Sequence, residues 1–562
     1  MAWLSAKIVD FFTALSNFYY SKKYETLLKR TGLREEAGED QRGFIIVQID
    51  GLSYEHLLEA MDRGFAPYMK QMAERGDAKL ARWRCGLPST TPAVQAGIMF
   101  GNNFDIPAFR WYEKETRTHM SCNRVGPATV MQNRISHGRR GVLKGGSSYT
   151  NIIDGEARLS LFTLSALSSQ RFFENVRGLG FFLLFMLNPL RVARILLLSL
   201  WEYLICLFKR LLAPAHHHPP SIFLQIANNV LIREIQTFAC LLDIYRGMPS
   251  IYINYNSYDE IAHYYRPSSI EALKALRTID KQIKQIDRMR NRCRRRKYDL
   301  YILSDHGMTP SLPFKDLYGY QLGDYIAEQT GKVVLAEGKG ESALRARVLL
   351  SEIEGIEKRL PEAGAVLMQA ARRYLEEKIA LDPSERELDL DKQDDIVVKC
   401  SGSLAHVYFN ITSRRMDLSE IVALYPGLLR KLIEHPGIGL VVGREGEEVV
   451  IMGKEGVLML NRELDLKGKH PLRSLPEPEI AAVELRNLAS FPHSGDLILL
   501  GAWHGDPIEV VCFEDQMACH GGLGGPQDYP FIIYPSRFDL HLERITNARQ
   551  LYPHFATTYG NS

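Results

Sequence analysis

Leu300-Tyr301-Ile302-Leu303-Ser304-Asp305-His306-Gly307-Met308 is an apolar strand pattern that ends abruptly in a carboxylate, an imidazole and a glycine. Such a run delivers two metal-ligand side chains to the C-terminal edge of a sheet, where open α/β folds bind their ligands. An Asp-His-Gly triplet says little alone. It gains weight from Cys519-His520-Gly521-Gly522-Leu523-Gly524-Gly525, a late histidine in a glycine-rich turn, and from three further apolar runs that end in ligand-type or nucleophile-type residues.

Phe44-Ile45-Ile46-Val47-Gln48-Ile49-Asp50-Gly51 reads as a buried strand that places Asp50 at its tip, with a glycine where the chain must turn. Gly86-Leu87-Pro88-Ser89-Thr90-Thr91-Pro92-Ala93 is a turn leading into the helix-like Val94 to Phe100. A hydroxyl there lies at a helix N-terminus, which favours anions and an ionised oxygen. Ile251-Tyr252-Ile253-Asn254-Tyr255 is a strand that leads into Tyr258-Asp259-Glu260-Ile261-Ala262-His263, where Asp259 and His263 share a face if the segment is helical. Singly these are an ordinary turn, a helix cap and a solvated pair. Their order along the chain is what departs from those readings.

The ordered set Asp50, Thr91, Asp259/His263, Asp305/His306 and His520 resembles the alkaline phosphatase superfamily, and most of all its type I phosphodiesterase/nucleotide pyrophosphatase branch. The resemblance covers roughly residues 42–112, 250–310 and 495–536. It implies an α/β fold, an alkaline-phosphatase-like sheet flanked by helices, and two zinc ions. One would be held by Asp50, Asp305, His306 and Thr91, the other by Asp259, His263 and His520. Thr91 is the implied nucleophile because the family's reactive hydroxyl falls three residues after the proline, here Pro88; Thr90 and Ser89 are rivals. The family's phosphoryl-binding asparagine, some twenty residues on, is not matched. Arg110 could clamp the phosphoryl group instead, or Asn102 or Asn103 could serve.

The inventory makes chemical sense without the name. A divalent cation lowers the pKa of a threonine hydroxyl enough for it to attack phosphorus, and a second stabilises the leaving oxygen. Three aspartates and three histidines suit zinc, with manganese and iron as alternatives. The expected activity is that of a phosphodiesterase acting through a phospho-threonine. The alternatives are a phosphomonoesterase or sulfatase-like hydrolase and, from another class, an inactive metal-binding scaffold at a membrane.

With 562 residues the chain has room for two to four domain-sized units, or for one elaborated α/β domain. Its 46% hydrophobic and 24% charged residues are ordinary for a globular protein, and a net charge of +3 gives no reason to expect a nucleic-acid partner. The basic run Arg288 to Lys297 reads as a solvated helix end. Eight cysteines without a CxxC spacing suggest neither a disulfide framework nor a cysteine zinc site. The expected partner is a phosphorylated small molecule or lipid.

Met1 to Tyr20 is apolar but interrupted by Lys7 and Asp10, which favours an amphipathic helix over a cleaved leader and places the protein in the cytoplasm or on the cytoplasmic face of a membrane. Within 178–212, two apolar runs separated by Asn188-Pro189 and flanked by Arg191, Arg194, Lys209 and Arg210 each fall short of a bilayer span. They are expected to touch a membrane peripherally or to cap the active site. His216-His217-His218 reads as a loop. The expected organisation is an N-terminal amphipathic segment (1–41), catalytic core (42–135), helical insertion (136–248), core (249–330), an α+β insertion acting as a cap (331–494), and core again (495–562).

Overall fold

The computed structural model of the chain describes residues 42–167, 189–212, 226–293, 295–332, 334–337, 396–460, 464–505 and 508–560. The readings made for 1–41, for the apolar run before Asn188 and for the histidine run at 216–218 lie outside these residues.

The strand Gly43–Ile49 is apolar at every position except Gln48 and is buried at all seven. Only a strand covered on both faces tolerates that pattern, and it lies at the centre of a seven-stranded sheet. The order across this sheet is Ala78–Arg82, Phe531–Pro535, Tyr298–Leu303, Gly43–Ile49, Ser250–Tyr255, Ser147–Tyr149 and Leu159–Leu161. Gly43–Ile49 pairs in parallel with both Ser250–Tyr255 and Tyr298–Leu303, with Ile49 opposite Tyr255 and Gln48 opposite Leu303. Three strand tips therefore end level at one sheet edge. Phe531–Pro535 runs antiparallel to Tyr298–Leu303. The fold is mixed α/β with a central sheet flanked by helices, as expected.

The helix Ile270–Arg292 shows how the flanking layer forms. Ser269 accepts from the Ala272 N–H at its start, and Leu273, Leu276, Ile279, Ile283 and Ile286 bury one stripe. The helix ends at Arg292, so the basic run does fall at its C-terminus.

Within the stretch 136–248, expected to be largely helical, Ser147–Tyr149 and Leu159–Leu161 are parallel strands of the seven-stranded sheet. At three residues each they are too short to show a period in sequence. The second unit is an eight-stranded sheet that also takes in Leu497–Gly501, between Leu404–Phe409 and Ile438–Glu445, so the cap does not end at 494. An apolar run of this kind fits either sheet, and the choice is made by partners distant in sequence.

The helix Pro189–Leu212 packs Ile195 against Val230, Phe238 and Leu242. Leu196, Leu197, Leu200, Trp201, Leu204 and Phe208 on it are exposed. Among the described residues no helix is long and apolar enough to cross a membrane.

Candidate active site

Each site residue stands where its local sequence forces an end or a turn. Asp50 follows the central strand, and Gly51 takes a left-handed φ of 72° where a Cβ would come within 2.4 Å of Asp259 Oδ1. Asp305 and His306 follow Leu303, and the next strand, Thr309–Pro313, pairs antiparallel with Ala518–Cys519, setting Cys519 opposite Thr309. That short ladder carries His520 back to the sheet edge from more than two hundred residues away. Asp259 and His263 lie one turn apart on the helix Ser257–Tyr265. Thr91 opens the helix Thr91–Phe100.

These residues converge into two triads. Asp50, Asp305 and His306 form one, Asp259, His263 and His520 the other; within each, the ligand atoms lie within 4.8 Å of one another and all six residues are buried. The triads abut, with the His306 and His520 rings stacked at 3.7 Å between centroids; within the second, His520 Nε2 is 3.8 Å from Asp259 Oδ1. Thr91 Oγ1 is 3.3 Å from Asp50 Oδ1 and 3.2 Å from His306 Nε2. Its rivals are placed differently: Ser89 Oγ donates to the Gly522 carbonyl and accepts from the Gly521 N–H, while Thr90 Oγ1 is buried without a partner.

The three histidines share one orientation. Nδ1 of His263 faces the Ala518 carbonyl at 2.8 Å, that of His520 the Ser89 carbonyl at 2.9 Å, and that of His306 the Gly307 carbonyl at 3.0 Å. A carbonyl can only accept, so each Nδ1 carries the proton and each Nε2 lone pair is turned to the cluster. Asp259 Oδ1 and Oδ2 and Asp305 Oδ2 are buried without a hydrogen bond, their near polar neighbours being the Nε2 atoms of His263, His520 and His306 at 3.3–3.8 Å. Orphaned acceptors of this kind fit cation ligands and little else.

The electrostatics agree. Burial, and after it repulsion from Asp305 and Asp259, raises the Asp50 carboxyl well above its usual range. Burial chiefly, with the Asp259 charge, pushes Asp305 up to about 7. Burial also opposes ionisation of Asp259, but His263, His520 and His306 together outweigh it and hold that carboxyl low. His520 is held well below the usual imidazole range by burial first and His306 second. A dry site that gathers three carboxyl groups among three imidazoles calls for positive charge, which two divalent cations would supply.

Three contacts went unnoticed in the sequence. Asn254 Nδ2 donates to Asp50 Oδ2 at 3.0 Å, Ser304 Oγ accepts from the Leu52 N–H at 3.0 Å, and Ser89 clamps the loop after His520. An asparagine inside an otherwise apolar, fully buried strand was the signal available for the first.

The two expected phosphoryl clamps have hydrogen-bond partners of their own in the structure. Asn102 follows the C-terminus of the Thr91 helix, about 15 Å along its axis, and donates to the Ile135 carbonyl at 3.1 Å. Asn103 likewise turns to Asn547. Arg110 is buried and engaged: Nη1 donates to Glu514 Oε1 at 2.8 Å and to the Cys400 carbonyl at 3.2 Å. The Glu514 carboxylate also accepts from the Gly402 N–H at 2.6 Å. Arg110 thereby ties the cap turn at 401–403 to the core, a role that neighbouring sequence could not reveal because Glu514 lies some four hundred residues away.

Residues 241–408 match the type I phosphodiesterase/nucleotide pyrophosphatase family, a segment that includes Asp259, His263, Asp305 and His306. The match bears out the resemblance drawn from the motifs and supports phosphoester hydrolysis as the class of chemistry. No curated protein is significantly similar to the chain. Among solved structures, phosphonoacetate hydrolase from Sinorhizobium meliloti 1021, in complex with phosphonoacetate, aligns over 92% of this chain and 96% of its own at 15% identity and a TM-score of 0.45. Murine ectonucleotide pyrophosphatase/phosphodiesterase 5 aligns over 92% and 95% at 9% identity and a TM-score of 0.44. An inactive form of the murine protein is in complex with AMP.

Proposed function

We propose that this protein is a two-metal phosphoesterase, a phosphodiesterase or pyrophosphatase in preference to a monoesterase, with Thr91 as nucleophile. The observation that carries the reading is the pair of abutting buried triads with the Thr91 hydroxyl against one of them. Asp50, Asp305 and His306 would hold one cation, with Thr91 beside it, and Asp259, His263 and His520 the other. Nitrogen and oxygen donors in these numbers favour zinc. When bound, such ions polarise the phosphoryl group and lower the pKa of a nearby hydroxyl.

The residues of the chain supply the rest. Thr91 Oγ attacks phosphorus in line with the leaving oxygen; the Oγ–P bond forms as the P–O bond to the leaving group breaks. Asp50 Oδ1 and His306 Nε2, the cluster atoms nearest the Thr91 hydroxyl, would hold the cation that acidifies it, and the threonine proton passes to solvent water as Oγ attacks. Water then attacks the phospho-threonine, releasing the phosphorylated product and restoring the hydroxyl. Thr91 at a helix N-terminus places first-turn N–H groups near the developing charge.

Metal analysis with a panel of aryl phosphodiesters, phosphomonoesters and sulfates tests this. Two zinc ions per chain, loss of hydrolysis on chelation and preference for the diester are expected. Metal-free protein whose hydrolysis ignores chelator would reject it; monoester preference would reject the diesterase assignment alone.

We infer further that the protein meets a membrane surface through the helix Pro189–Leu212. The support is its exposed Leu196, Leu197, Leu200, Trp201, Leu204 and Phe208, bordered in sequence by Arg191, Lys209 and Arg210, which suit anionic head groups. A lipid-bound phosphate ester would then be a fitting substrate. Co-sedimentation with anionic liposomes is expected and should be lost on Leu197→Glu/Leu204→Glu. Full-length protein that stays in the supernatant overturns the membrane reading and leaves the active-site reading intact.

A further inference from the structure

His520 is the triad residue with the least support from its own element. Asp50, Asp305 and His306 follow strands of seven and six residues, and Asp259 and His263 sit on one helix. His520 follows the two-residue strand Ala518–Cys519 and precedes Gly521 and Gly522, the first at a left-handed φ of 105°. Glycines leave a backbone free to turn, so the place of the imidazole is set by what packs against this loop.

Two segments do so. On one side the Ser89 carbonyl accepts from His520 Nδ1, and Ser89 Oγ accepts from the Gly521 N–H. On the other lies the turn that joins Ile396–Ser401 to Leu404–Phe409 in the eight-stranded sheet. Gly402, at a φ of 65°, has no room for a Cβ against the His520 carbonyl, Gly521 has none against the Ser401 carbonyl, and Gly522 has none against Ser403 Oγ. The loop and the turn thus meet closely along three successive residues.

Glu514 holds the turn. The Gly402 N–H donates to Glu514 Oε2 at 2.6 Å, a charge-assisted bond, and the Gly402 carbonyl accepts from the Phe513 N–H at 2.9 Å. Glu514 Oε1 accepts from Arg110 Nη1 at 2.8 Å, and the same Nη1 reaches the Cys400 carbonyl at 3.2 Å. Glu514 is 8% exposed and Arg110 5%. A buried ion pair is often no more stabilising than apolar residues of like volume. What this pair supplies is a fixed turn.

We propose, on the two-metal reading, that Glu514 is a positioning residue for His520. By holding the Gly402 N–H it sets the turn against the His520 carbonyl, and so fixes the imidazole that the second cation would use. The eight-stranded sheet thereby bears on the Asp259, His263 and His520 triad and leaves the other triad to the seven-stranded sheet.

Two double variants of the full chain test this. Arg110→Met/Glu514→Gln and Arg110→Met/Glu514→Leu remove the same buried charges with side chains of similar volume, and differ in whether an oxygen remains for the Gly402 N–H. In chelator competition, the Glu514→Leu form should release one of two zinc ions at a chelator concentration lower by about tenfold or more, with the other ion held as in the parent. The Glu514→Gln form should hold both as the parent does. Two ions released alike in the Glu514→Leu form, or the same loss in both forms, overturns the proposal. Crystals of the metal-free variants give a readout that needs no metal: the His520 ring should leave its stack on His306 in the Glu514→Leu form and keep it in the Glu514→Gln form. An unmoved ring in the Glu514→Leu form also overturns the proposal. Parent protein that binds no metal would reject the two-metal reading, and the ring position would still decide whether Glu514 positions His520.

Discussion

At the scale of single residues, the site is built from side chains whose hydrogen-bonding capacity is deliberately left open toward one point. Thr91 is the residue on which the covalent reading depends. Thr91→Ala removes the attacking oxygen while every triad residue stays in place, so turnover should fall by about three orders of magnitude or more with metal content unchanged. Steady-state kinetics paired with metal analysis checks this, and near-parent turnover would reject the covalent route. Asn254 bears on the site through Asp50. Asn254→Leu should weaken metal retention by about 10–100-fold, the usual cost of losing a partner that orients a ligand, as read by chelator competition. Asp50, Asp305, His306, Asp259, His263, His520 and the Thr91 turn were all legible in sequence, since each closes a recognisable run. The hydrogen-bond partners of Arg110 and Asn102 were not legible, because they lie on other segments of the chain.

At the scale of elements, the cap is held on the core by buried charge. Arg84, just after the core strand Ala78–Arg82, donates from Nε and Nη2 to both oxygens of Glu484 on the cap helix Pro478–Ser490, at 2.9 and 2.8 Å, and from Nη1 to Glu477 at 2.8 Å. Arg84→Ala would strand the buried Glu484, and should lower the unfolding free energy by about 3–5 kcal/mol in denaturant titration. A second tie is pH-sensitive. His493, just beyond that helix, meets Asp105 of the core through Nδ1 at 2.5 Å. Burial opposes its charge, but Asp105 and then Glu113 outweigh it against Arg134, and its pKa is raised. A raised histidine stabilises the fold fully below the ordinary imidazole range and loses that contribution as pH rises through the folded value. Stability should therefore decline on the alkaline side of about pH 6.5, and the decline should be smaller in Asp105→Asn. Asparagine tolerates the left-handed φ of 60° at that position, which keeps the backbone out of the comparison.

At the scale of the whole molecule, the edge of the seven-stranded sheet, two helices and the ladder of Thr309–Pro313 with Ala518–Cys519 converge on one buried cluster, so metal occupancy and global stability are linked. Stripping the metals leaves Asp50 and Asp305 disfavoured in their charged forms. The melting temperature of chelated protein should drop relative to the zinc-loaded form and recover on zinc addition; equal melting curves would count against tight binding. The sequence alone determined the central strand, the ligand types at its edge, the late histidine and the family resemblance, because these depend on runs of a few residues whose hydrophobicity and turn chemistry are local. The family resemblance had already divided the ligands into two triads; only the tertiary structure decided which sheet received Leu497–Gly501, where Arg110 and Asn102 spend their hydrogen bonds, and that Asn254 and Ser89 support the site. Those outcomes come from strand pairing and side-chain contacts between segments hundreds of residues apart, and local pattern carries no record of them.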